Sequence, residues 1–169
     1  MSWDAIGAAL ADDFAFDPAT LVQTIVRLIV AALLGGVLGW QREMHGKAAG
    51  MRTHMLVALG TAAFVLIPNQ LGWDTADLSR IIQGIAAGIG FLGAGAILKR
   101  TDEGMIYGLT TAADIWLTAA IGIAAGEGRL LPAIVIAGLA LVILSAAIHF
   151  GPKPLEEKGK EGEQRSNRA

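Results

Sequence analysis

The chain has 169 residues, of which 54% are hydrophobic and only 17% are charged, and its formal net charge is −2. The apolar residues lie in long runs rather than in periodic patches, which is typical of a membrane protein and excludes an ordinary water-soluble fold. Because the chain contains no cysteine, disulfides, zinc-thiolate sites, iron–sulfur clusters and thiol nucleophiles are excluded, and the nearly neutral charge does not favour nucleic acid.

Five segments approach the roughly 20 apolar residues that a helix needs to cross the hydrocarbon core of a bilayer. The sequence predicts transmembrane helices over residues 21–40, 55–71, 81–98, 109–125 and 130–150. The predicted fold class is therefore all-α, a polytopic bundle of about five transmembrane helices over residues 21–150. We expect residues 1–20 to form an extracytoplasmic N-terminal segment and residues 151–169 to form a disordered cytoplasmic tail.

The distribution of lysine and arginine predicts how the bundle is oriented. Short loops rich in these residues stay in the cytoplasm, so we expect the N-terminus outside and the C-terminus inside. On the predicted cytoplasmic side lie Arg42, Lys47, Arg52, Lys99, Arg100, Lys153, Lys158, Lys160, Arg165 and Arg168, against Arg80 and Arg129 on the other side.

Glycines at helical spacing predict close packing between helices. In lipid the hydrophobic effect no longer drives helix association, so close contact through small residues contributes more of it. The run at residues 88–93 also matches a dinucleotide-binding pattern, but without the strand that such a site requires, so close packing or flexibility is the better interpretation. Packing within the chain and packing against a second copy remain alternatives. The residues concerned are Gly35, Gly39, Gly84, Gly88, Gly90, Gly93, Gly95, Gly122 and Gly126.

Arg27 and Asp114 are formal charges that fall well inside predicted spans. A charged residue at a helix centre costs about 2.5–3.5 kcal/mol on insertion scales, so each should face the bundle or water and seek a partner. Pairing of these two residues with each other is the simplest hypothesis. The alternatives are that Arg27 reaches the outer headgroups and that Asp114 meets Thr110, Thr111 or a water-filled inner cavity.

A weak internal repeat relates the first two predicted helices to the next two, although chance identities are common in a chain rich in glycine and alanine. A parallel repeat would place the N-termini of the second and fourth helices at the cytoplasmic face, where helix dipoles favour anions. The alternative is that the basic loops only fix orientation. The repeat aligns Gly35 with Gly93, Arg42 with Arg100 and Thr53 with Thr111. The candidate layer for an anionic lipid or a partner comprises Arg42, Glu43, Lys47, Arg52, Thr53, Lys99, Arg100, Thr110 and Thr111.

The histidines of the chain do not suggest a metal site. His45, His54 and His149 share no ligand spacing, so we expect neither a metal nor another cofactor. No arrangement of serine, histidine and acid, no carboxylate pair and no phosphate loop stands out, so we do not expect an enzyme.

Three stretches, in this order, resemble the signatures of the MgtC/SapB family of bacterial inner-membrane proteins. They are REMHGKAAGMRTH at residues 42–54, GIGFLGAG at residues 88–95 and GLTTAA at residues 108–113, the last followed by Trp116 and AAIG at residues 119–122. The resemblance spans about residues 31–128. Many members carry an acidic residue where this chain has Gln41, and longer members continue into a soluble C-terminal domain, so the resemblance is to the short form.

The resemblance implies a five-helix domain of the bacterial inner membrane, associated in well-known members with growth at low magnesium and survival inside macrophages. It also implies action through partners such as the ATP synthase rather than carriage of magnesium. We therefore expect a non-enzymatic modulator of a membrane partner or of ion homeostasis. The expected partners are the bilayer, a membrane protein, an anionic lipid and a second copy of the chain. The alternative is a small cation or proton transporter or channel that uses Asp114, with mid-span glycines that break the third helix.

Overall fold

The computed structural model describes Trp3 and residues 17–99 and 106–150. The predicted tail at residues 151–169 lies outside the described residues, and so do residues 1, 2 and 4–16 of the predicted N-terminal segment. The elements are α1 (Pro18–Met44), α2 (Met51–Gln70), α3 (Thr75–Gly95), β1 (Leu98–Lys99), β2 (Ile106–Tyr107), α4 (Leu109–Gly126) and α5 (Leu130–Phe150). The all-α bundle of about five helices is thereby confirmed. Between α3 and α4, the two-residue strands β1 and β2 pair antiparallel.

Four of the helices, α1 to α4, are long and apolar enough to cross a membrane. The segment Leu130–Ala146 of α5 is an apolar helix as well. The chain is therefore a membrane protein, and its sidedness stays a prediction.

Local sequence signals set the ends of α1. The carboxylate of Asp17 accepts hydrogen bonds from the backbone N–H of Thr20 at 3.0 Å and from its hydroxyl at 2.9 Å. Pro18 occupies the first turn, where its missing N–H leaves no bond unmade. At the other end Gly46 adopts a positive φ of 63°, which reverses the chain after Met44. The helix is thus longer at both ends than the apolar run at residues 21–40 predicts.

Helix α3 also begins earlier than its apolar run predicts. Asp74 caps it by accepting a hydrogen bond from the N–H of Asp77 at 2.8 Å, and Asp77 pairs with Arg80 at 2.8 Å on the helix surface. These polar first turns carry no apolar signal, so the sequence alone placed the start at residue 81. The expectation that mid-span glycines break this helix is wrong, since α3 is continuous from Thr75 to Gly95.

Glycines let α2 pack closely against both α1 and α4. A Cβ atom at Gly39 would lie 2.5 Å from the Cα of Met51, and one at Gly35 would lie 2.5 Å from the carbonyl oxygen of His54. Cβ atoms at Gly122 and Gly126 of α4 would likewise collide with the backbone of α2. The glycine pairs predicted for the first and fourth helices therefore pack within the chain. The core that they bring together includes Ala31, Leu38, Ala58, Ala62, Ile121 and Ala125.

The glycines of α3 behave differently. Only Ile89 and Gly93 of this helix are buried, and a Cβ atom at Gly84 or Gly88 would meet no atom within 4 Å. The same holds for Gly90 and Gly95. Three cavities, of about 500, 480 and 260 Å³, border α3. Packing within the chain therefore holds for the glycines of α1 and α4 but not for these four glycines of α3, because neighbouring helices stand away from that face. Packing of α3 against a second copy stays a prediction.

One end of the bundle collects the basic loops. The cavity of about 500 Å³ is lined by Ala48 and Ala49 of the α1–α2 turn and by Ala94 and Ala96 at the end of α3, so these segments share one end. We call it the basic end, defined by the α1–α2 turn (residues 45–50), the end of α3 and the start of α4.

Candidate functional site

A cluster of polar side chains lies inside the bundle at the basic end. It consists of Arg42 from the last turn of α1, His54 from the first turn of α2, and Asp114 with Thr111 from the start of α4. Each of these four residues is at most 4% exposed. We call these residues the polar junction, since they tie three helices together.

Asp114 is the centre of the polar junction. Its Oδ2 atom lies 3.2 Å from Nε of Arg42 and 3.0 Å from Nε2 of His54. The Arg42 Nε contact lacks hydrogen-bond alignment, so it is an ion pair without a directed bond. The carboxylate is therefore contacted from two sides within the protein.

Arg42 also reaches α4 through a second group. Its guanidinium donates from Nη2 to the hydroxyl oxygen of Thr111 at 3.1 Å. The neighbouring hydroxyl of Thr118 donates to the backbone carbonyl of Asp114 at 2.8 Å. Because buried polar groups are costly unless they are bonded, the contacts of Arg42 with Thr111 and Asp114 fix the register of α1 against α4.

His54 bridges two oxygen atoms. Its Nδ1 lies 2.9 Å from the carbonyl oxygen of Gly50, one turn earlier, and its Nε2 faces Asp114. The ring is completely buried. Its position depends on the glycine contacts of α1, since Gly35 and Gly39 both face the backbone or Cβ of this residue. The glycine pair of α1 is therefore a structural requirement of the polar junction.

The turn into α4 sets the position of Asp114. Gly108 has φ of +91°, and a Cβ atom there would collide with the carbonyl of Ala96 at the end of α3. A residue with a side chain is strained in this conformation. This glycine thus allows α4 to start directly beside the end of α3.

The structure does not pair Arg27 with Asp114. Nη1 of Arg27 instead donates to the carbonyl oxygen of Gly126 at 3.1 Å, at the C-terminal end of α4. Its guanidinium also lies over Gly128, in the α4–α5 turn. A cation at the C-terminus of a helix is favoured by the free carbonyls and the dipole there. Arg27 and Asp114 are therefore at opposite ends of α4, too far apart to meet.

The predicted anion layer is only partly a surface. Arg42 and Thr111 belong to the buried polar junction and are not at the surface. Glu43 accepts a hydrogen bond from the N–H of Met51 at 3.0 Å and thereby caps α2. The other described members lie at or near the surface: Lys47, Arg52 and Thr110 are exposed, and Thr53 lines the cavity of about 500 Å³. The side chain of Lys99, and Arg100 as a whole, lie outside the description.

Sequence reasoning missed His54. It treated the histidines only as metal ligands, and among the described residues no group of histidine, aspartate and glutamate is suited to hold a metal. A signal was present, since Arg42 and His54 are the first and last residues of the stretch at residues 42–54 that resembles the family signature. A residue that starts a helix beside a polar loop can turn inward as easily as outward, so the stretch alone did not assign its direction.

The chain matches the model of the MgtC family over residues 28–151. It is similar to protein SrpB of Synechococcus elongatus, with 50% identity over 113 residues that cover 60% of this chain and 62% of that protein. It is 47% identical over 111 residues to the putative magnesium transporter YhiD of Escherichia coli, covering 62% of this chain and 51% of that one. Identity to protein MgtC of Brucella abortus is 43% over 109 residues, 64% of this chain and 44% of that protein. The matched region is thus about half the length of these relatives. No solved structure gives a significant match.

Proposed function

This chain belongs to the MgtC family, and on that premise we propose that it is a non-enzymatic modulator of a membrane partner, linked to magnesium, in the bacterial inner membrane. The link to magnesium is supported by the names of relatives, one of which is a putative magnesium transporter. The relatives are longer than the matched region, so their whole activity is not transferred to this chain.

The observation that carries the proposal is the open glycine face of α3. Membrane helices associate through small residues that let backbones approach. The small residues of α1 and α4 pack against α2, whereas Gly84 and Gly88 of α3 face open space. Phe91, on the same helix, is 85% exposed. A transmembrane helix of a partner protein fits this face, because it would supply the backbone contact that the described helices leave unmade.

The polar junction supports modulation over cation transport. A carboxylate that binds a metal ion in a membrane needs free oxygen atoms and a route to water. Asp114 is 4% exposed and its Oδ2 is occupied by Arg42 and His54. A guanidinium beside the carboxylate would repel an entering cation. Asp114 therefore serves helix packing better than ion passage.

Partner binding is tested by filling the α3 face. Gly88→Leu puts a side chain into that face, and Gly138→Leu in α5 is the matched control because that glycine also meets no atom within 4 Å. A tagged protein is crosslinked in bacterial membranes and purified, with ATP synthase subunits as the first candidates sought. We expect the amount of partner captured with Gly88→Leu to fall at least tenfold, and growth at low magnesium to be impaired. Gly138→Leu should retain both, and equal capture by the two variants would contradict the proposal.

Transport is tested with the purified protein in liposomes. We expect magnesium and proton fluxes no faster than in protein-free liposomes, with fluorescent indicators for each ion inside. A flux that depends on the protein and is abolished by Asp114→Asn would favour the transporter alternative. Measurement of ATP-driven proton pumping in inverted membrane vesicles, with and without the protein, then reports modulation of ATP synthase directly.

A further inference from the structure

The His54 ring has an acceptor at each of its nitrogen atoms. Nδ1 points at the carbonyl oxygen of Gly50 at 2.9 Å, and Nε2 points at Oδ2 of Asp114 at 3.0 Å. A carbonyl oxygen only accepts hydrogen bonds, so Nδ1 must carry a hydrogen. A neutral imidazole has one N–H, and Nε2 would then turn a lone pair toward the carboxylate. Two lone pairs at this distance repel each other, whereas a hydrogen between them makes a strong, charge-assisted bond.

We propose that the polar junction is a proton-binding site, in which one proton is held between Nε2 of His54 and Oδ2 of Asp114. Uptake of this proton forms either an N–H bond on His54, giving an imidazolium beside a carboxylate, or an O–H bond on Asp114, giving a carboxylic acid that donates to Nε2. No other covalent bond changes, and no electrons are transferred. This inference does not depend on the proposed function.

Opposing interactions act on this proton. Arg42 is the charged group that faces Asp114 from α1, and Thr111 contributes an uncharged hydroxyl from α4. With the proton bound, the polar junction carries one net positive charge, which burial disfavours. Without it the polar junction is neutral, but the contact between His54 and Asp114 turns repulsive. Among the residues that the structure describes, Glu43 at the same end caps α2, whereas Asp77 and Arg80 lie in the first turns of α3, at the opposite end of that helix. The described side chains of α5 include no titratable group.

Binding of this proton is coupled to the packing of α2 against α4. The His54–Asp114 contact joins α2 to α4, and both residues lie within two turns of the basic end. Loss of the proton removes that contact while the Arg42–Asp114 ion pair remains. The α2–α4 junction is therefore tighter when the proton is bound.

Nitrogen NMR of the protein in bilayers, with ¹⁵N-labelled histidine, tests the site near neutral pH. His54 is assigned by subtraction with His54→Gln, and the protonation of Asp114 is read from its carboxyl band in infrared difference spectra against Asp114→Asn. Two outcomes support the proposal: a ring of His54 with both nitrogens protonated, or a neutral ring protonated on Nδ1 beside a protonated Asp114. A neutral ring beside an ionised Asp114 overturns it.

The matched variant sharpens this test. Asp114→Asn presents an amide that can donate to Nε2, so we expect His54 to become neutral with its hydrogen on Nδ1. The ¹⁵N signal of Nε2 should then move from the protonated to the unprotonated position if the wild-type ring is an imidazolium. Proton release on titration to alkaline pH should also be lower by about one per chain in this variant, and equal release in both proteins contradicts a bound proton.

Discussion

Nε of Arg42 lies 3.2 Å from Oδ2 of Asp114, so a buried ion pair joins the last turn of α1 to the second turn of α4. Both side chains are at most 5% exposed. Removing two charges from water is so unfavourable that such a pair contributes less to net stability than to the choice of one arrangement. Its value here is to fix which faces of α1 and α4 meet.

Loss of one partner should be strongly destabilising. Arg42→Gln leaves Asp114 buried without its guanidinium, and removing one partner of a buried pair typically costs about 3–5 kcal/mol. The measurement is the free energy of unfolding in mixed detergent micelles. Lys47→Gln, which removes an exposed positive charge from the same end, should change it by about 0.5 kcal/mol or less. Equal losses in both variants would show that only the charge of the basic end matters.

Double-mutant cycles should separate the two arginines of α1. Arg27 and Asp114 have no partner in common, since Arg27 donates to Gly126, so their alanine substitutions should be additive within about 0.5 kcal/mol. Arg42 and Asp114 are in contact, and their coupling should be about 0.5–3 kcal/mol. Unfolding of the single and double variants under one set of conditions gives both numbers. Coupling between Arg27 and Asp114 instead would contradict the structure and support the pairing of these two residues.

Substitution by alanine should lower the stability of the bundle at a glycine in close contact with another helix, but not at a glycine that faces open space. At Gly122 a Cβ atom would collide with Thr61 and with the carbonyl of Ala58, so Gly122→Ala should destabilise the bundle by about 1–3 kcal/mol, as overpacking does. Gly138 has open space, so Gly138→Ala should be neutral or stabilise by up to about 1 kcal/mol, because alanine favours the helix. Thermal unfolding in detergent compares the two.

The architecture could be predicted from the sequence because the solvent sets it. Apolar runs near the length of a bilayer identify the helices, and the MgtC resemblance over residues 88–95 and 108–113 agrees with the family match. Polar first turns, as at Asp74, are invisible to that signal. Helix ends were therefore the part that the apolar runs misplaced.

The polar junction could not be predicted, since it depends on which way side chains turn. Asp114 was singled out because it is costly in lipid, but nearby basic residues were assigned to the surface by position alone. Arg42 turns inward because the close approach of α1 and α2 at Gly39 brings α4 within its reach. Contacts between residues as distant in the chain as Arg42 and Thr111 follow from packing and not from any local pattern.

The cap of α1 should respond to acid. The hydrogen bonds from the Thr20 N–H and then its hydroxyl lower the pKa of Asp17 below its usual value of 3.8. A depressed pKa in the folded state means that the stabilising contribution is present above 3.8 and is lost as the pH falls through the lower, folded-state pKa. The protection of the Thr20 amide against hydrogen exchange, measured relative to its intrinsic exchange rate at each pH, should therefore fall at acid pH. In Asp17→Asn, which keeps an acceptor but does not titrate, this acid step should be absent.

The glycine in the turn before α4 should be more sensitive to substitution than the glycine in the turn after α1. Gly108 and Gly46 both have positive φ, at 91° and 63°, so an alanine at either site is strained by about 1–2 kcal/mol. Only at Gly108 would the new methyl group also collide, with the carbonyl of Ala96, whereas Gly46 has open space. Gly108→Ala should thus lose clearly more unfolding free energy than Gly46→Ala, and it should shift Asp114 with the start of α4. The ¹⁵N signals of His54 report that shift, so a spectrum unchanged from wild type would mean that the turn does not position the polar junction.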